Sequence, residues 1–293
     1  MSKQSTRRVS TRLLLAVGVA AIAALLPAIG SASTYQINWH SINSGGGLVA
    51  GGSYKLNSSV GQPTAGFVQS IDYLHWVGFW AGQVPDPTPV PTIGVAKLLP
   101  DGTLVSIAGK VATTSETDFA DFFYVEESDR TGGIRVSTPG APIVGLIRGT
   151  VVNVIGVLDT TSAGERQITG PMVIIVTTTA PLGPLGMCSR SVGGGDWGSP
   201  PLGQYGVHDG YGLNNVGLLI HTWGRVELEG PDYVLIDDGS DTQVRIDTTN
   251  LVLPPTVDEY VSVIGISSLY QSAPDGYRFR FVLPRTDEDI ARH

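Results

Sequence analysis

LVSIAGKV at 104–111 and LIHTWGRV at 219–226 are one phrase written twice, an alternating apolar run that ends in Gly, a basic residue and Val. Each reads as a strand, because apolar side chains recur at every second position. The next segments keep the match. FFYVEE at 122–127 lies over YVLIDD at 233–238, GIRV at 133–136 over QVRI at 243–246, and VNVIGV at 152–157 over VSVIGI at 261–266. Order and spacing hold across four strands, so the chain carries two copies of one small sheet. Gly109, Gly156, Gly224 and Gly265 fall at matched places, and a Gly inside a strand permits the bulge or bend that lets a small sheet curl shut.

Composition agrees with an all-β chain. Among 293 residues there are 38 Gly and 19 Pro, too many turn formers for a helical protein, while the 42% hydrophobic share is enough to fill packed cores. No segment shows a sustained helical period. The single cysteine, Cys188, excludes an intrachain disulfide framework and any Cys-based metal site.

The N-terminus reads as an address. Lys3, Arg7, Arg8 and Arg12 precede an uncharged apolar run from Leu13 to Ile29, and Gly30 and Ala32 provide the small residues of a cleavage site. Residues 1–32 are therefore expected to be a secretory signal peptide, with no membrane span after its removal and a secreted or cell-surface location. Residues 33–293 carry 14 Lys plus Arg against 26 Asp plus Glu, a net charge of −12. The expected organisation is a Gly-rich β module at 33–82, a Pro-rich linker at 83–92, a barrel at 93–179, a Gly/Pro-rich segment at 180–213 that is either a linker or a pinned surface loop, and a second barrel at 214–293.

With these strands in hand, the two copies resemble the OB-fold of exported bacterial proteins and of accessory domains in some secreted nucleases. The resemblance implies two five-stranded Greek-key barrels in tandem, whose usual binding surface is the face of strands 2 and 3, used for oligonucleotides or oligosaccharides. Residues 37–82, with GGG, GG-x-Y-x-L, GQP-x-AG and GFW, are similar to a Gly-rich module that comes after signal peptides in exported bacterial proteins. That module implies an address and no activity.

Local signatures of chemistry are few. The five histidines stand at no metal-binding spacing, and there is neither a G-x-S-x-G elbow nor a P-loop. In the strand 122–126, Phe122 and Tyr124 alternate with Phe123 and Val125, so one pair must face out of the barrel. Phe122 and Tyr124 beside Arg135, and Tyr233 beside Arg245, are the candidate ligand-binding residues: they either stack a sugar or base or pack on the neighbouring module. Asp237, Asp238 and Asp241 are a candidate Ca²⁺ cluster, since hard cations take clustered carboxylates, and the same residues suit an ordinary hairpin turn.

These readings lead to an exported, non-catalytic surface or extracellular binding or structural protein without cofactor, whose partner is a cell-surface glycan or another surface protein. The alternatives are a polysaccharide or oligonucleotide binder using the strand 2–3 face, and a secreted hydrolase whose carboxylates converge only in three dimensions. Nucleic acid is disfavoured by charge, because residues 93–179 carry 6 basic and 9 acidic side chains and residues 214–293 carry 6 and 13.

Overall fold

Two successive runs of alternating strands close on themselves in the computed structural model, which describes residues 86–272 and 276–293, together with the backbone of four short strands nearer the N-terminus. Those four are β1 (Gly45–Gly51), paired antiparallel with β2 (Tyr54–Val60), and β3 (Gly66–Gln69), paired with β4 (Leu74–Val77). The expected signal peptide and the aromatic core of the Gly-rich module lie outside the described residues. No helix among the described residues is long and apolar enough to cross a membrane.

Barrel 1 comprises β5 (Thr88–Val90), α1 (Ile93–Lys97), β6 (Leu104–Ala112), β7 (Phe122–Glu126), β8 (Gly133–Ser137), β9 (Thr150–Thr160) and β10 (Arg166–Thr178). Its five long strands run in the order β6-β7-β8-β10-β9, and β9 returns to β6, so no edge is left open. β8 and β10 are parallel and the other long-strand pairs antiparallel. In β9 every second residue, Val152, Val154 and Leu158 among them, is fully buried while the intervening ones are half-buried. Burying such side chains contributes about 1.5–3 kcal/mol each.

Barrel 2 repeats this with β14 (Leu219–Glu229), β15 (Tyr233–Asp237), β16 (Val244–Asp247), β17 (Tyr260–Gln271) and β18 (Arg278–Leu283), closed by β14 on β17. Again the third and fifth strands are parallel. The two OB-like barrels expected from the repeat are therefore present, and both lie within one unit of the chain.

Gly156 and Gly265 do the same work in each copy. A Cβ on Gly156 would stand 2.5 Å from Ile168, and one on Gly265 would stand 2.6 Å from Val282, so the fourth and fifth strands approach only because both are Gly. Gly109 and Gly224 differ. Gly109 has φ +69° and sits where β6 slips register against β9, between Ile107 and Lys110. Opposite Val152 therefore stands Lys110, whereas opposite Val261, the same position of the repeat, stands Gly224. The bulge displaces the first copy by one residue relative to the letters, which corrects the expected equivalence of Gly109 and Gly224.

The repeat also begins earlier than expected. β5 runs parallel to β6, and β11 (Leu185–Gly186) runs parallel to β14. A helical turn comes after each: α1 places Ile93 and Ala96 in the barrel 1 core, and the turn Ser189–Ser191 leads to Val192 in the barrel 2 core. The Ile93 N–H donates to Glu127 Oε1 at 2.6 Å, and the Ser189 N–H donates to Asp238 Oδ2 at 2.8 Å. Parts of the expected linkers 83–92 and 180–213 are thus the caps of the barrels.

The rest of 180–213 is pinned between the barrels. The hairpin of β12 (Trp197–Ser199) and β13 (Leu202–Gln204) delivers the buried Gln204, whose Oε1 accepts from the Arg166 N–H at 3.0 Å. Asn215 Oδ1 accepts from the Gly193 N–H and the Ser267 hydroxyl, each at 2.8 Å. β19 (Ile290–Arg292) completes barrel 2 along β17.

Candidate functional site

The alternation in β7 resolves as the pattern requires, with Phe123 and Val125 in the barrel 1 core and Phe122 and Tyr124 pointing out. Outward here means into barrel 2. Phe119 and Tyr124 are buried with Leu219, Ile266 and Leu283 of the second barrel, and Phe122, Ile264 and Phe281 pack around them. Barrel 2 lies against this face of barrel 1: Tyr124 is fully buried there and Phe122, half-buried, packs beside it, which is the arrangement of rings against the neighbouring module.

Polar groups complete this seam. Tyr124 Oη donates to Glu165 Oε1 at 2.9 Å, and Ser268 Oγ donates to Glu165 Oε2 at 2.7 Å. The Leu219 N–H donates to Glu126 Oε1 at 2.6 Å. Arg130, held at φ +66°, donates through Nε to Glu126 Oε2 at 2.7 Å and through Nη2 to the Leu219 carbonyl at 2.7 Å. Lys97 Nζ donates to the Val216 carbonyl at 3.0 Å. Burial pushes Glu165 and Glu126 above the usual carboxylate range, outweighing Arg135 for the first and Arg130 for the second, and it lowers Lys97 to about 8. Tyr124 is pushed well above its ordinary value by burial and by the Glu165 charge.

The arginines of the candidate set are already occupied. The Arg135 guanidinium lies 3.7 Å from the Phe122 ring centre, and that of Arg245 lies 3.7 Å from Tyr233 and 4.1 Å from Tyr270. The Tyr233 ring also lies so close against Gly230 that no Cβ fits there. Tyr233 and Arg245 are thus brought together in the structure, with the guanidinium over one face of the ring. The candidate Ca²⁺ cluster does not converge. Asp237 Oδ1 accepts from Gly239 N–H at 2.6 Å, and Asp238 accepts from Ser189 at 2.8 Å and Ser240 at 3.1 Å. Asp241 stands at φ +58° in the same turn, and no three metal-ligating side chains gather among the described residues. These carboxylates shape the hairpin.

One groove on barrel 2, of about 690 Å³, lies on the outer side of β14 and β17. Two aromatic side chains flank it, Trp223 with 45% and Tyr260 with 60% of its surface exposed. They come together because Trp223 stands opposite Ser262 and Tyr260 opposite Arg225 in an antiparallel pair, which puts them diagonally across one face. Glu227, Asp237 and Asp238 are among the residues of its walls, and Ser262 Oγ lies 2.9 Å from His293 Nε2. Arg225 turns its Nη2 to Asp258 at 2.6 Å. Burial raises the Asp238 carboxyl, but donors from Ser240 and Ser189 outweigh it and leave the group below its ordinary value, ionised at neutral pH.

Neither Trp223 nor Tyr260 was among the expected site residues. The signal lay in the departures between copies: where barrel 2 has Trp223 and Tyr260, barrel 1 has Ala108 and Val151. The chain matches no protein-family model and no curated protein.

Proposed function

We propose that this chain is an exported, non-catalytic glycan-binding protein in which barrel 1 is a docking scaffold and barrel 2 presents the ligand groove. The observation that carries this reading is the pair of exposed aromatic rings, Trp223 and Tyr260, beside a groove with carboxylate and hydroxyl walls. Flat rings take the apolar faces of a sugar while a few fixed polar groups read its hydroxyls, and the volume suits a short oligosaccharide. Export rests on the basic and apolar N-terminal sequence, residues 1–32.

The same observations argue against the oligonucleotide alternative. Arg130 is paired with Glu126, Arg135 lies on Phe122, and Arg148 binds Asp118 at 3.0 Å, so these cations are spent one by one inside the protein. Single-strand binders combine stacking with a positively charged groove, whereas this groove is acidic. Binding of the purified protein to a glycan array, repeated with Trp223→Ala and Tyr260→Ala, tests the reading. Retention of one glycan class by the parent protein and its loss in both variants is expected; no glycan bound, or binding untouched by either variant, contradicts it.

A further inference from the structure

A second hollow, of about 760 Å³, lies on barrel 2 beside the groove, and Glu227 and Asp237 belong to the walls of both. The two spaces meet at these residues. Glu227 is the extra residue where β14 slips register against β15, between Val226 and Leu228, and a bulge of this kind bends its strand and re-aims a side chain. Its Oε2 accepts from Gln243 Nε2 at 3.0 Å, and Gln243 lines the second hollow. The other side of that hollow comes from the inter-barrel segment, with Arg190, His208, Asp209 and Tyr211 facing Phe279 and Arg280 of β18. This side is fixed in place. The His208 N–H donates to the Arg278 carbonyl at 2.7 Å, the His208 ring stacks on Tyr277 at 4.1 Å between centres, and Arg280 Nη2 donates to the Arg190 carbonyl at 3.2 Å. Among the wall residues are again two exposed rings, Phe279 with 41% and Tyr211 with 72% of its surface open.

From this we infer that the groove and the second hollow are one cleft, and that its occupant is a stretch of a long polysaccharide chain running from Trp223 and Tyr260 past Glu227 to Phe279 and Tyr211. This rests on the glycan-binding reading above and adds the length of the ligand. Each space alone has the size of a small-ligand site. A sugar polymer repeats its apolar faces and hydroxyls at every unit, so a second pair of rings beside polar walls offers it the same contacts as the first. Once one space is filled, filling the other is an intramolecular event, and affinity then rises steeply with chain length. The pinning of residues 208–211 against β18 acquires a purpose, since it gives the far end of the cleft a rigid side.

The test is calorimetric titration of the purified protein with the trimer and the octamer of the sugar that it retains on the glycan array. The octamer is expected to bind at least about twentyfold tighter, beyond the sixfold that its six overlapping trimer frames supply by counting alone. Tyr211→Ala and Phe279→Ala are each expected to reduce that gain at least threefold, and Trp223→Ala to weaken both probes. Tyr211 is exposed on a loop, so its variant keeps the test valid if Phe279→Ala disturbs β18. Saturating octamer is also expected to slow proteolytic cleavage at 208–213, where the trimer leaves it unchanged. A gain of sixfold or less, a gain intact in both variants, or cleavage untouched by the octamer overturns the long cleft while leaving the glycan groove standing. Binding of neither probe overturns both.

Discussion

Tyr124 and Glu165 share a hydrogen bond of 2.9 Å in a place where both side chains are buried, on the face of barrel 1 that barrel 2 covers. Burial holds Glu165 above the usual carboxylate range, and Glu126 nearby in the same seam shifts the same way. A carboxyl whose folded value is raised binds more protons in the folded state than in the unfolded one. Its stabilising contribution is full below the ordinary carboxylate value and is lost as pH rises through the folded value. Scanning calorimetry from pH 5 to 7 should therefore show stability falling with pH more steeply in the parent protein than in Glu165→Gln. An unchanged slope in the variant would contradict a buried, charge-penalised Glu165.

Lys97 gives the opposite sign at higher pH. Its folded value of about 8 lies below the ordinary 10.5, so between these limits the unfolded chain binds more protons and stability rises with pH. Tyr124, raised well above 10, does not ionise in that window. Lys97→Met should remove the rise between pH 8 and 10, measured as the denaturation midpoint in urea. A parent protein with no such rise would show that Lys97 is hydrated.

Leu219 is 2% exposed and joins barrel 2 to Phe119 and Tyr124. Leu219→Ala should cost about 2–5 kcal/mol. Because the seam couples the barrels, both should unfold in one transition in the parent protein, and the variant should separate them into two. A single transition in Leu219→Ala, displaced by less than about 1 kcal/mol, would show that the seam contributes little.

The alternation of FFYVE at 122–126 told which rings leave the barrel, since a strand turns successive side chains to opposite faces. What covers those rings was not legible, because Ile266 and Leu283 lie about 140 and about 160 residues further along and only the third dimension brings them there. The caps were hidden for another reason. β5 and β11 are three and two residues long, too short for any periodicity, and their Pro and Gly neighbours read as spacer. The bulge at Gly109 is likewise silent in the letters: GKV and GRV align perfectly while the register differs by one. Trp223 and Tyr260 escaped because a repeat singles out the positions that its copies share, whereas the groove is built from positions at which they differ.

Proteolysis should also distinguish a pinned inter-barrel segment from a free one. Tyr211 and Leu213 are 72% and 89% exposed, whereas Ser189 and Val192 are fully buried. The first cut within 180–213 should fall at 208–213, read by mass spectrometry. Early cutting at 187–192 would contradict the capping role of that turn.

Labelled single-stranded oligonucleotides should show no salt-sensitive binding at physiological ionic strength, measured by fluorescence anisotropy, since phosphate affinity requires unpaired cations in a common groove. Micromolar binding that weakens with salt would favour the alternative use of the barrels.

Ligand is expected to meet barrel 2 at Trp223 and Tyr260 and to leave the covered face of barrel 1 untouched. The most direct measurement of this is a titration of the protein with a short oligosaccharide of the class that it retains on the glycan array, tracked through the indole N–H resonances in a nitrogen-15 spectrum, with the Trp223 signal assigned by its loss in Trp223→Phe. The Trp223 resonance should move with saturable dependence on ligand while the backbone signals of Tyr124 and Arg135 stay in place. Movement at Tyr124 and Arg135 with Trp223 unaffected would contradict the assignment of the ligand to barrel 2.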